Sequence, residues 1–276
     1  MPQGYSYSKD YDDKTIGKNS EVLITALLNN AHNSFSEINK LLEIHNTAID
    51  DSDMQNSFLN LWSILEILGV KKRDNSKMIE IEDAIIPILL NDYIKNIFEE
   101  LHDYVKANIN EDKYKEIISE VDIDIDEYEK LACIVLLKKF ERLRKRLISE
   151  LAKYPLLRSR ISQLCVNFNE KNGYLKEIER YEKRVRWHLR RMYRTRNAII
   201  HSGENTENLK ALGEHLHSYI DEILYEIIIQ LATKHNYCTI DNVLINARFK
   251  LDEIKKRFKD KDEIMYEDIL DLYEKY

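Results

Sequence analysis

The residues best suited to chemistry lie in the decapeptide RTRNAIIHSG, residues 194–203, which contains Arg196, Asn197 and His201. Imidazole exchanges protons near neutral pH. A guanidinium stays charged and presents a planar fork of N–H donors that matches two phosphate oxygens. Proton transfer beside a held oxyanion is the chemistry such a trio supports. The position of Arg196 is itself unusual. At roughly 100° per residue, Val185, Leu189, Met192, Arg196 and Ile199 share one narrow helical arc, so a permanent cation stands in line with four core residues. A guanidinium there is costly unless a carboxylate or several acceptors meet it. His201 falls about 140° further round an ideal helix, whereas Asn197 and His201, four apart, share a face. Convergence of all three therefore needs a cleft facing that arc or unwinding at Ser202 and Gly203. The structural alternative makes Arg196 an internal salt bridge, with Glu66 as candidate partner, Asn197 a cap on local backbone and His201 a polar helix end.

These residues need long helices to position them. With six glycines, three prolines and 43% apolar residues in 276, the chain is expected to be all-α with a substantial core. The stretch SFLNLWSILEIL places Phe58, Leu61, Trp62, Leu65 and Leu68 on one buried face. A helix is expected to open at Pro87 and run through PILLNDYIKNIFEELHDYV. Another is expected after DIDID, carrying the apolar run around Cys133 straight into KKFERLRKRLISEL. The segment from about Leu175 to His201 has no Gly or Pro after Gly173 and reads as the longest helix or nearly so, closed by a left-handed Gly203. A nearly all-round apolar helix follows through YIDEILYEIIIQLA, and Thr239 caps a last helical segment. Residues 1–19 lack periodicity and read as a flexible arm, and helical patterning starts at about Glu21.

The net charge of −7 conceals a segregation. Residues 138–196 hold 19 Lys and Arg against 6 Glu and no Asp, a local +13, leaving −20 on the rest. That is either a footprint for a polyanion or a set of basic helices paired with acidic ones elsewhere. Cys133, Cys165 and Cys238 are far apart and odd in number, which suggests neither a disulfide framework nor a thiolate metal site and fits a reducing, cytoplasmic setting. No apolar run approaches a membrane span. His215 and His217 point apart on a helix, and Glu214 completes no HExxH motif, so no metal ligands or cofactor are expected. The acidic run DIDIDEYE, 122–129, reads as a helix entry.

The motif RNAIIH resembles the RxxxxH signature of HEPN domains, in which a polar residue follows the Arg and a His closes the motif. The run YRTRNAIIHSG and the upstream FLNLWSILEIL, with Trp62 and Glu66, are together similar to the Apea-like branch of that family, and the order of parts agrees. The resemblance spans about residues 20–235, with 236–276 as a C-terminal helical extension. It implies a HEPN-like helical bundle with additional helices that dimerises and acts as a metal-independent ribonuclease in phage defence or a toxin–antitoxin system. A non-catalytic module that binds RNA or a partner protein is the competing expectation. An antitoxin, a phage-derived trigger or a further regulatory domain would supply control.

RNA carries its own nucleophile, the 2′-hydroxyl. Cleavage needs removal of that proton, stabilisation of the crowded phosphate and protonation of the leaving 5′-oxygen. His201 suits proton transfer and Arg196 the phosphate, while Asn197 can orient the histidine or bond the ribose. Glu66 is assigned support of Arg196, and Arg190, Arg191 and Arg194 are assigned phosphate contacts. One histidine per chain leaves a proton-transfer group missing, which a two-fold dimer supplies from the partner chain.

Overall fold

The apolar stripes form helices throughout. The computed structural model describes residues 34–69, 76–203, 208–233, 239–259, 261 and 264–273; the arm expected at 1–19, the patterning from Glu21 and Cys238 lie outside them. In chain order the helices are α1 (Ser34–Asp50), α2 (Met54–Gly69), α3 (Lys77–Asn91), α4 (Tyr93–Asn108), α5 (Glu111–Ser119) and α6 (Glu127–Leu136). They continue with α7 (Glu141–Glu150), α8 (Pro155–Asn169), α9 (Gly173–Ser202), α10 (Leu209–Thr233), α11 (Ile240–Arg257) and α12 (Tyr266–Tyr273). No strand occurs among the described residues, so the chain is all-α. No helix among them is long and apolar enough to cross a membrane.

The chain forms two compact units. Among the described residues, the first takes those up to Leu89 and from Glu182 to Leu251, and the second takes Leu90–Tyr181 and those from Asp252 onward. The boundaries fall inside α3, α9 and α11.

In the first unit α2 packs on α1 and α10. Asp53 caps α2, its Oδ1 accepting the N–H groups of Gln55 and Asn56 at 2.7 and 3.2 Å. Ser57 Oγ donates to the Ala48 carbonyl at 2.6 Å, fastening α1. The five expected core positions of α2 are all buried, with Trp62 at 1% exposure. α10 buries Leu212, Leu216, Ile220, Ile223, Ile227 and Leu231 while leaving Tyr225 exposed. Thr239 caps α11, its Oγ1 accepting from the Asn242 N–H at 3.2 Å.

In the second unit α6 is the most enclosed element: Leu131 through Leu136 are all buried. Its entry is the acidic run, where Asp126 and Glu129 form a capping box. Burial pushes the Cys133 thiol up to about 12, so it is no nucleophile.

Two expected elements differ from the structure. α3 starts at Lys77, ten residues before Pro87, which lies inside it. Met78, Ile81, Ile85 and Leu89 make a buried stripe at helical spacing, and their burial outweighs the one backbone hydrogen bond a mid-helix proline removes. The chain then bends at Asp92, so the expected single helix is two. The helix through Cys133 also stops at Leu136. Leu137 is extended, a 3-10 turn spans Lys138–Phe140, and α7 begins at Glu141. The break is closed by Arg144, whose Nη1 donates to the carbonyls of Ile134, Val135 and Leu137 at 3.0, 3.1 and 3.3 Å.

Two glycines hold this frame. A Cβ on Gly69 would sit 2.6 Å from the Ile81 Cα, so glycine permits the close approach of α2 to α3. Gly203 closes α9 with φ +63°, its N–H bonded to the Ile199 carbonyl at 3.0 Å. Gly69→Ala is expected to cost about 1–3 kcal/mol through overpacking, and Gly203→Ala about 1–2 kcal/mol through its backbone conformation alone. Urea denaturation of both variants measures this.

Candidate active site

α9 is 30 residues long and carries the motif in its last two turns. Val185, Leu189 and Met192 are fully buried and Ile199 nearly so, which leaves Arg196 in the arc as the half-buried exception. Its partner is on α2: Arg196 Nη2 lies 3.4 Å from Glu66 Oε1. That oxygen also accepts the indole N–H of buried Trp62 at 3.1 Å, and the Trp62 ring tilts against Tyr193, one turn before the motif, at 5.8 Å. Arg196 Nη1 donates to Asn197 Oδ1 at 3.2 Å. The result is a chain of contacts from Trp62 through Glu66 and Arg196 to Asn197. With both side chains about a quarter exposed, the ion pair orients the guanidinium more than it stabilises the fold. It leaves further N–H donors of the fork unengaged among the described residues.

His201 is exposed in the last turn, four residues from Asn197. α9 stays helical through Ser202, whose Oγ bonds the Ala198 carbonyl at 2.7 Å. Unwinding at Ser202 and Gly203, one of the two expected routes to convergence, therefore does not occur. The separation of about 140° between Arg196 and His201 stands, and one helix end does not present both to a single face.

The three flanking arginines differ in situation. Arg194 is exposed and has no partner among the described residues. Arg191 lies over the ring of exposed Trp187, 5.3 Å from its centre. Arg190 is committed elsewhere: its Nε and Nη2 grip Glu82 at 2.6 and 3.1 Å. Arg186 reaches the same carboxylate at 2.8 Å and pairs with Glu182. Glu82 is 1% exposed, and its hydrogen bond to Arg190 holds that guanidinium above its ordinary range. Sequence reasoning missed Glu82. Its signal was a carboxylate in line with Ile86 and Leu89 on an apolar face, facing arginines four apart on α9. Much of the basic block is similarly paired: Arg146 bridges Glu116 and Glu120, Arg160 meets Glu100, and Arg180 meets Glu177.

Histidines cluster nearby in the same unit. His215 and His217 do diverge. His215 meets His188, ring centres 4.9 Å apart, while His217 turns towards His45 and Asp221. His188 Nδ1 is 2.8 Å from the Tyr219 hydroxyl. Burial, with His215, Arg184 and Arg191 adding repulsion, pushes the His188 imidazole below its ordinary value, and burial pushes Tyr219 up to about 12.

Comparison with protein-family models, with curated proteins and with solved structures found no match in any of the three. The functional reading therefore rests on the residues.

Two outcomes test this geometry. Glu66→Gln keeps an oxygen for the Trp62 N–H and is expected to cost under about 1 kcal/mol. Glu66→Leu strands that buried donor and is expected to cost about 1–3 kcal/mol, both by chemical denaturation. For His188, the folded chain binds a proton less readily than the unfolded one. Its contribution to stability is therefore complete above 6.5, the ordinary value, and is lost as pH falls from there through the lowered one. Denaturation of wild type and His188→Gln across that window should show a smaller acid loss in the variant.

Proposed function

We propose that this chain is a metal-independent endoribonuclease of the HEPN type. The observation that supports it most is the placement of Arg196, held on the Trp62–Glu66 pair with part of its fork open, on the helix whose last turn carries Asn197 and exposed His201. In this reading His201 takes the 2′-hydroxyl proton. The oxygen attacks the adjacent phosphorus, the bond to the 5′-oxygen breaks, and that oxygen gains a proton. The products are a 2′,3′-cyclic phosphate and a 5′-hydroxyl end. Arg196 stabilises the charge that builds on the phosphate oxygens, where donors already in place are most effective. Asn197 orients the guanidinium it contacts, and Arg191 and Arg194 position the backbone of the RNA.

The wide arc between Arg196 and His201, together with one motif histidine per chain, supports a homodimer in which each groove takes Arg196 and His201 from different chains. A toxin or effector in phage defence, working in the cytoplasm and restrained by an antitoxin, a phage-derived trigger or a further domain, is the setting that such an activity fits. A second reading, a non-catalytic module binding RNA or a partner protein, is favoured by one observation. Glu66 and Glu82 already partner Arg196 and Arg190.

Cleavage of RNA in EDTA separates the two. Wild type is expected to cut and leave cyclic phosphate ends, while His201→Ala loses about 100-fold or more, the scale of a lost proton-transfer group. Absence of cleavage by wild type under all conditions favours the binding module. Mixed inactive His201→Ala and Arg196→Ala chains are expected to regain partial activity if the groove is composite. RNA affinity should also fall with salt, by a shallower slope than a +13 block would give if every charge were unpaired.

A further inference from the structure

The strongest cluster outside the proposed cleavage residues joins α1 to α10. His45, His217 and Asp221 each offer one ligand atom, and these atoms all lie within 4.8 Å of one another. Asp221 Oδ1 is 2.8 Å from His45 Nε2 and 3.5 Å from His217 Nε2. The close approach of His45 is not a hydrogen bond. Its Nε2 is sequestered from solvent and makes no hydrogen bond, although the carboxylate oxygen lies 2.8 Å away. A buried ring nitrogen without a hydrogen bond, beside a carboxylate oxygen and a second imidazole, is available as a metal ligand. The rings of His45 and His217 stand 5.1 Å apart at 47°, splayed rather than stacked.

We infer that His45, His217 and Asp221 form a binding site for a first-row divalent transition ion of the zinc class. Two imidazole nitrogens and one carboxylate oxygen suit such an ion and are poor ligands for magnesium or calcium, which take oxygen donors. Bonds of about 2.0–2.2 Å in a tetrahedron place ligand atoms about 3.4 Å apart, so drawing in a pair 4.8 Å apart needs shifts of about 0.7 Å each. The spacing of His217 and Asp221, four apart on α10, already matches. The side chains of His45 and His217 are 12% and 7% exposed, but that of Asp221 is 40% exposed, which opens an entry path. Three protein ligands leave a coordination position for water on that side. An ion here fastens α1, the first described helix, to α10.

The site shares no residue with Arg196, Asn197 or His201, and its test needs no RNA. The full chain, stripped with EDTA and dialysed, is titrated with zinc ion by calorimetry. One equivalent per chain is expected to bind, magnesium is not expected to compete, and cobalt(II) is expected to give the visible bands of a four- or five-coordinate ion. Asp221→Asn and His45→Gln, both near-isosteric and checked for helicity by circular dichroism, are expected to weaken binding by about 100-fold or more, beyond what loss of an outer-shell partner does. His215→Ala, which removes an adjacent histidine outside the cluster, is expected to bind as wild type does. The proposal is overturned if wild type binds zinc no more tightly than the Asp221 and His45 variants, or if His215→Ala loses binding equally.

Discussion

The candidate site depends on one charge that cannot be discharged. Arg196 occupies a position in the buried stripe of α9 where the packing of Val185, Leu189, Met192 and Ile199 calls for an apolar side chain. A guanidinium there cannot become neutral, so a carboxylate must come to it. Glu66 does so from α2, and Trp62 fixes that carboxylate by donating to the same oxygen. Trp62 is immobilised in turn by its burial among the residues of its own helix face and by the tilted contact with Tyr193. The orientation of the guanidinium thus follows from the packing of α2 against the rest of its unit. A pair with both side chains about a quarter exposed adds little stability. What it supplies is a fixed direction for the guanidinium; in the proposed reaction that direction serves the phosphate, and Glu66 is an acid with which RNA would compete.

The charge segregation has a comparable logic. Arg186 and Arg190 surround one buried carboxylate, and Arg144 satisfies carbonyls that the end of α6 leaves without partners. These arginines act as structural donors; Glu82 and Glu66 come to Arg186, Arg190 and Arg196 from elsewhere in the sequence, while Glu182 meets Arg186 from the same helix. Much of the charge of the basic block therefore closes the fold, while Arg194 is exposed to solvent.

How much of this was legible depended on whether the cause was local. The buried face of α2, the cap at Thr239 and the left-handed glycine after Ser202 are set by neighbours within a turn or two, and each could be read from spacing. The motif residues were legible for the same reason, since Arg196 announces itself as a break in a periodic stripe. Pro87 was misread because a local preference for helix starts was outweighed by tertiary burial of a stripe that begins ten residues earlier. The break at Leu137 was missed because the carbonyl-satisfying role of Arg144 is invisible in a run of basic residues. Glu82 and His45 were missed because their partners lie far along the chain.

The most direct test of the central claim is a crystal structure of the chain with an oligoribonucleotide bearing a 2′-deoxy sugar at the cleavage position, which removes the nucleophile and leaves the phosphate. The account predicts a phosphate on the Arg196 fork, with Glu66 still bonded to Trp62 behind it and a His201 imidazole beside the position of the missing hydroxyl. Nucleic acid bound elsewhere, with Arg196 still closed on Glu66 and no phosphate near His201, would contradict it.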